Sequence, residues 1–265
     1  MKLFFRRFGE LGQPVIILHG IFGISDNWVT IGRRLAERFD VYILDQRNHG
    51  QSPHSDTFNY FALADDLYEF IQDHQLVNPI LIGHSMGGKV AMNFALENPQ
   101  KIDKLIVVDM SVRKYPPRQE HLEIMQAMLA VDFNEVSTRE EVEEIISKRI
   151  KSPRIRMFIL KNLYHISQNR MAWRLNVQAL FDNIDNVFEG VESPYTYDHA
   201  TLFVKGGDSN YIREEDKDLI LAKFPGAIFK TIKGASHWVH ADKPDELCAV
   251  FSEFLEKECE FNINK

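Results

Sequence analysis

Four unbroken apolar runs set the frame for this chain: Pro14–Leu18, Val41–Leu44, Ile80–Ile82 and Leu105–Val108. A strand that is apolar at every position has to be covered on both faces. Two more strand-like runs follow at Thr201–Val204 and Ala227–Ile232. Between the runs the spacing is helical. Asn27–Phe39 puts Trp28, Ile31, Leu35 and Phe39 on one side, and Tyr60–Ile71 does the same with Leu63, Leu67, Phe70 and Ile71. Met86–Leu96, Glu214–Phe224 and Pro244–Lys257 also read as helices. Strands interleaved with helices predict an α/β fold with a parallel sheet between two helical layers.

The rhythm breaks once. From Val112 to Tyr197 no core strand is expected, only helices at Gln119–Ala130, Ser137–Ile150 and Arg154–Ile166. Ser137-x-x-Glu140 has the form of a capping box opening the second of these. The expected division is therefore a core of residues 1–111 and 199–265, interrupted by a helical cap, or lid, at 112–198.

Composition excludes several classes. The net charge of −7 argues against nucleic acid as a partner, because phosphate binding needs a basic face. The two cysteines, Cys248 and Cys259, have no C-x-x-C or histidine cluster around them, which argues against disulfides and a metal site. The start, MKLFFRRFGELG, lacks an apolar segment of ~7–15 residues, and Gly9-Glu10 after Arg6-Arg7 does not suit a twin-arginine leader. No apolar stretch reaches the ~18 residues of a membrane span. A cytoplasmic protein is expected, with oligomeric state left open.

The stretch GHSMGGKV, Gly83–Val90, joins the third apolar run to a helix. It is one residue short of a phosphate-binding loop. Such a loop needs a Ser or Thr after its lysine to hold Mg²⁺, and Lys89 is followed by Val90. Leu105–Asp109 imitates the second, metal-holding aspartate of those enzymes, yet the missing hydroxyl removes a required ligand. Read as G-x-S-x-G, the stretch is a nucleophile elbow. Gly83 and Gly87 relieve crowding around a strained Ser85, and Gly88 lets the helix approach the sheet.

A serine nucleophile needs a base. Lys233-Gly-Ala-Ser-His-Trp-Val-His240 lies between the last strand and the last helix and offers His237, with His240 nearer the helix as a structural residue. An acyl-transfer site also needs an oxyanion hole. The N–H of Met86 follows the nucleophile. A second donor is expected from the early loop His19-Gly20-Ile21-Phe22-Gly23, at the N–H of Ile21. His19 and His84 read as structural hydrogen-bonders.

These motifs in this order, with Asp45–Ser52 (DQRNHGQS), resemble the α/β-hydrolase superfamily, most closely its small serine esterases of the YbfF type. The resemblance covers the whole chain. It implies a mainly parallel, eight-stranded sheet, a helical cap after the sixth strand, no cofactor, and hydrolysis of carboxylic esters or thioesters. It makes Asp45–Ser52 a structural turn beneath the site rather than a metal site. It also bears on the acid that orients the base. Many relatives carry that acid three residues after a glycine in the seventh-strand loop. Counted from Gly206, that position holds Ser209, with Asp208 one residue earlier. In YbfF-type chains the acid follows the sixth strand, which here points to Asp109, with Ser209 as an assistant and Asp208 as the alternative.

The expected partner is a small-molecule ester or thioester, with no nucleic acid and no metal. Phe22, Phe158, Tyr164, Trp173 and Trp238 are candidate substrate-binding residues, together with Leu163 and Met171 of the cap. The basic stretch Lys148–Arg156 suits either an anionic substrate group or a solvated helix face. Serine chemistry alone also permits carbon–carbon hydrolysis, which an arginine-lined pocket would favour, or a slow small-molecule receptor.

Overall fold

The computed structural model describes residues 1–168 and 170–256. Cys259, and Lys257 at the end of the expected last helix, lie outside them. The core opens with β1 (Phe5–Phe8), β2 (Pro14–Leu18), α1 (Val29–Leu35), β3 (Asp40–Leu44), α2 (Tyr60–Asp73), β4 (Ile80–His84), α3 (Met86–Glu97) and β5 (Leu105–Val108). Then come α4 (Gln119–Leu129), α5 (Arg139–Ser147), α6 (Pro153–Ile159), β6 (Leu163–Ser167), β7 (Arg170–Trp173), α7 (Val177–Asp182) and α8 (Ile184–Phe188). The core resumes with β8 (Thr201–Gly206), α9 (Asp216–Lys223), β9 (Ala227–Ile232), α10 (Val239–Asp242) and α11 (Pro244–Glu256).

The main sheet has the order β1-β3-β2-β4-β5-β8-β9. β1 pairs antiparallel with β3, and every other neighbour is parallel. Side chains alternate across each strand. Ile16 and Leu18 join the core on one face, with Leu67, Val90 and Phe224; Val15 and Ile17 join that on the other, with Ile31, Leu247 and Phe251. This places α2, α3 and α9 on one side and α1 and α11 on the other.

Four features differ from the expectations. The sheet has seven strands rather than eight among the described residues, because residues 1–13 supply a single four-residue strand. The helical segment between β5 and β8 therefore follows the fifth strand of this chain. The helix expected to run from Arg154 to Ile166 stops at Ile159, and Leu163–Ser167 and Arg170–Trp173 pair as two antiparallel strands. Finally, the capping box sits one residue later than expected. Glu141 Oε2 accepts the N–H groups of both Ser137 (2.8 Å) and Thr138 (2.9 Å), and Thr138 Oγ1 accepts the Glu141 N–H at 3.2 Å.

No helix among the described residues is long and apolar enough to cross a membrane.

Candidate active site

β4 and β5 are in parallel register, with His84 opposite Val108. Each chain then takes one step beyond its paired strand end. The Ser85 N–H donates to the Val108 carbonyl at 3.2 Å, and the Asp109 N–H to the Val204 carbonyl at 2.7 Å. Both residues turn into left-handed backbone, at φ 53° for Ser85 and 49° for Asp109. Such geometry costs on the order of 1–3 kcal/mol for a non-glycine residue and persists only where the surroundings impose it. At Ser85 the glycines impose it. A Cβ on Gly83 would lie 2.3 Å from the Gly87 carbonyl oxygen, and one on Gly87 would lie 2.4 Å from that of Leu18. Only hydrogen fits at either position, so the chain turns sharply and presents Ser85 from the start of α3.

His237 comes from the loop between β9 and α10. Its Nε2 is 3.0 Å from Ser85 Oγ and its Nδ1 is 2.7 Å from Asp109 Oδ2. The Asp109 side chain is fully buried. Its Oδ1 accepts the Gly206 N–H at 2.9 Å, and its Oδ2 also accepts the Ser209 hydroxyl in a short contact. An ionised carboxylate only accepts, so it holds the proton of the imidazole on Nδ1 and leaves Nε2 free to accept from Ser85. This arrangement can deprotonate a serine and later return the proton to a leaving group. Asp208 is exposed, and its backbone N–H donates to the Ala235 carbonyl at 2.9 Å.

The loop after β2 closes over the serine, and its N–H groups can be accounted for. That of Phe22 donates to His49 Nε2 (3.2 Å), Gly23 to the Gly20 carbonyl (3.0 Å), Ile24 to Asn27 Oδ1 (2.8 Å) and Ser25 to Asp45 Oδ1 (2.6 Å). From Gly20 to Ser25, the N–H groups of Gly20 and Ile21 have no acceptor of this kind among the described residues. Met86 occupies the first position of α3, where a helical N–H has no intrahelical acceptor. Asp45–Ser52 braces this loop from below. Asp45 also accepts the Gln51 N–H, and Arg47 makes a bidentate pair with buried Asp66 at 2.6 and 2.9 Å.

His19, His84 and His240 hold the same frame together. His19 donates from Nδ1 to the Gly20 carbonyl and accepts the Gln46 N–H at Nε2. His84 donates from Nε2 to the carbonyl of His237 at 2.9 Å, and His240 stacks on Trp28 with ring centroids 4.6 Å apart. Burial pushes His19 down to about 4 and His240 to about 3, and burial with the nearby His237 and His240 carries His84 well below its ordinary value. Lys89 is fully enclosed. Its Nζ donates to the Arg113 carbonyl at 2.7 Å and, in a short contact, to that of Glu189. Burial first, then the Arg113 charge, lowers it to about 7.

A cavity of about 670 Å³ opens over Ser85 and His237. Phe22, Phe158 and Trp238 line it. Tyr164 and Trp173 do not. Both sit on the hairpin, where the Trp173 indole donates to the Met128 carbonyl at 3.1 Å and Tyr164 lies under Arg174. Leu163 and Met171, on the same hairpin, pack into the hydrophobic core instead. Of the basic stretch, Arg154 reaches the cavity wall. Arg118, His121 and Tyr211 also line the cavity, and no motif in the sequence singles them out. Their one sequence signal is position, since Tyr211 lies in the loop after a parallel strand, where such sheets build their sites.

This fold and this site are those of the α/β-hydrolase family, and the chain belongs to it. Residues 13–140 match the family described as the alpha/beta hydrolase fold. Esterase YbfF of Escherichia coli is 36% identical over 243 residues, covering 92% of this chain and 93% of that protein. The mouse protein named sn-1-specific diacylglycerol lipase ABHD11 is 35% identical, over 93% of this chain and 82% of its own length. Among solved structures, a marine microorganism esterase superposes with a TM-score of 0.93 at 41% identity, over 96% of this chain and 99% of that one. The chain is accordingly a hydrolase.

Proposed function

We propose that this chain is a serine esterase that hydrolyses small carboxylic esters or acyl thioesters through an acyl-enzyme. The observation that carries this reading is the unbroken line Ser85 Oγ, His237 Nε2, His237 Nδ1, Asp109 Oδ2, at 3.0 and 2.7 Å. In the reaction, Ser85 Oγ attacks the acyl carbon while His237 Nε2 takes its proton, and Asp109 stabilises the imidazolium. The N–H groups of Met86 and Ile21 receive the developing oxyanion. His237 then protonates the departing alcohol or thiol. Water, deprotonated by His237, releases the acid and restores Ser85. Ser209 assists by holding Asp109 Oδ2. The division into a core of 1–111 and 199–265 and a cap of 112–198 belongs to the same proposal, as do acyl contacts from Phe22, Phe158 and Trp238.

A carbon–carbon hydrolase is the second reading, supported by Arg118 and Arg154 on the cavity wall. Steady-state turnover of p-nitrophenyl esters from acetate to palmitate, with Ser85→Ala alongside, separates the readings. Fast multiple turnover that the substitution abolishes is the expected result. A folded wild type as inert as Ser85→Ala on every ester would overturn the esterase reading and favour the carbon–carbon hydrolase or a slow receptor.

A further inference from the structure

The imidazole of His237 lies flat against the ring of Tyr211, with centroids 3.6 Å apart and planes 13° apart. The Arg118 guanidinium lies 3.9 Å from the centroid of the same Tyr211 ring. Two groups this close to one centroid cannot share a face, so Tyr211 is sandwiched between Arg118 and His237. Arg118 belongs to the segment between β5 and α4, as the residue that caps α4.

The backbone around Tyr211 is fixed by the same segment. The Tyr115 hydroxyl donates to the Tyr211 carbonyl at 2.6 Å and accepts the Ser111 N–H at 2.9 Å. Arg118 Nη2 donates to Asn210 Oδ1 at 3.2 Å. The Tyr211 N–H donates to Ser209 Oγ at 3.2 Å, the hydroxyl that in turn holds Asp109. Loop 209–211 thus touches both the carboxylate and the imidazole of the Ser85 site, and residues 111–118 grip that loop.

We infer that Tyr211, clamped by Arg118, is a positioning residue for His237. The inference rests on the esterase reading, in which His237 is the base. A histidine anchored at Nδ1 alone can still tilt about that bond, and the cavity beside it is open. The flat aromatic wall removes the tilt and keeps Nε2 directed at Ser85. The imidazolium formed in each half-reaction also meets a π face. Since Arg118 supplies the outer clamp, the base is fully ordered only while the segment leading into α4 is seated.

The test compares Tyr211→Leu, Tyr211→Phe and Arg118→Met with wild type and Ser85→Ala, each checked for folding by its melting temperature. Misplacing a reacting group costs rate rather than affinity, so Tyr211→Leu should lower kcat about 10-fold or more with KM changed less than about 3-fold. Tyr211→Phe, which keeps the ring, should restore most of that loss, and Arg118→Met should fall between. The rate at which a small p-nitrophenyl phosphonate inactivates Ser85 should follow kcat, since it reads activation of the serine without the rest of a substrate. Unchanged kcat and inactivation in Tyr211→Leu, with only KM moved, would overturn the inference and leave Tyr211 as cavity wall. A Tyr211→Phe as impaired as Tyr211→Leu would overturn it as well, by assigning the effect to the hydroxyl. If Ser85→Ala is inert while Tyr211→Leu is unimpaired, this inference alone fails; an active Ser85→Ala removes the esterase reading beneath it.

Discussion

At the scale of single residues, the sharpest choice is between two aspartates. Asp109 is buried against His237, and Asp208 is exposed with no contact to it among the described bonds. Asp109→Asn should therefore lower kcat by about 10⁴, because an amide can present its NH₂ to Nδ1 and reverse the tautomer that Ser85 needs. Asp208→Asn should cost less than about threefold. Ester kinetics of the two variants decide the matter, and near-full activity in Asp109→Asn would refute the assignment. That Ser85, His237 and Asp109 meet is legible in the sequence, because each follows the end of an apolar run in a fold that gathers strand ends. The resemblance, rather than the spacing, is what singled Asp109 out over Asp208. Tyr211 and Arg118 are not legible at all. Their stacking depends on how a loop and a helix start approach in space, and neither lies in a motif.

At the scale of elements, Lys89 joins pieces that are distant in sequence. From the first turn of α3 it reaches the carbonyl of Arg113, shortly after β5, and that of Glu189, just beyond α8. Both ends of the inserted segment are thus tied to one side chain. Lys89→Met leaves two half-buried carbonyls without this donor, at up to about 1–3 kcal/mol each. The expected result is local: trypsin should cut after Arg113 at least roughly tenfold faster, which corresponds to about 1.4 kcal/mol of easier opening. A cleavage rate equal to that of wild type would show that other contacts hold the segment. The main parallel strands were readable because continuous apolarity leaves them one environment. The β6–β7 hairpin was not. Its first strand, Leu163–Ser167, is half-buried to exposed along its length, and so short and polar a run (Leu-Tyr-His-Ile-Ser) does not separate a strand from the end of a helix.

For the whole molecule, the buried histidines set the response to acid. His19, His49, His84, His121 and His240 are all pushed below 6.5, chiefly by burial, to about 4 for His19 and His121 and about 3 for His49 and His240. Below pH 6.5 the unfolded chain takes up protons at these positions while the folded chain does not. Stability is therefore fully present above about 6.5 and is lost as pH falls toward 4, by up to about 1.4 kcal/mol per histidine per pH unit. The urea midpoint should fall steadily between pH 6.5 and 4.5. A midpoint that holds constant over that range would mean that these rings admit protons without unfolding. The fold class itself was readable from strand order and helix spacing. The strand count was not, because a four-residue strand with no buried residue, such as Phe5–Phe8, carries little apolar signal.

The placement of the indoles has a spectroscopic consequence. The chain has three tryptophans. Trp28 and Trp238 line the cavity, while Trp173 is fastened to the Met128 carbonyl within the inserted segment. Half-buried Trp238 thus faces whatever enters the cavity, fully buried Trp28 lies within its wall, and the third reports on the packing between the hairpin and α4. The protein's own ultraviolet fluorescence is divided between occupancy of the cavity and packing of the inserted segment, and single Trp→Phe replacements would separate the two signals without any added dye.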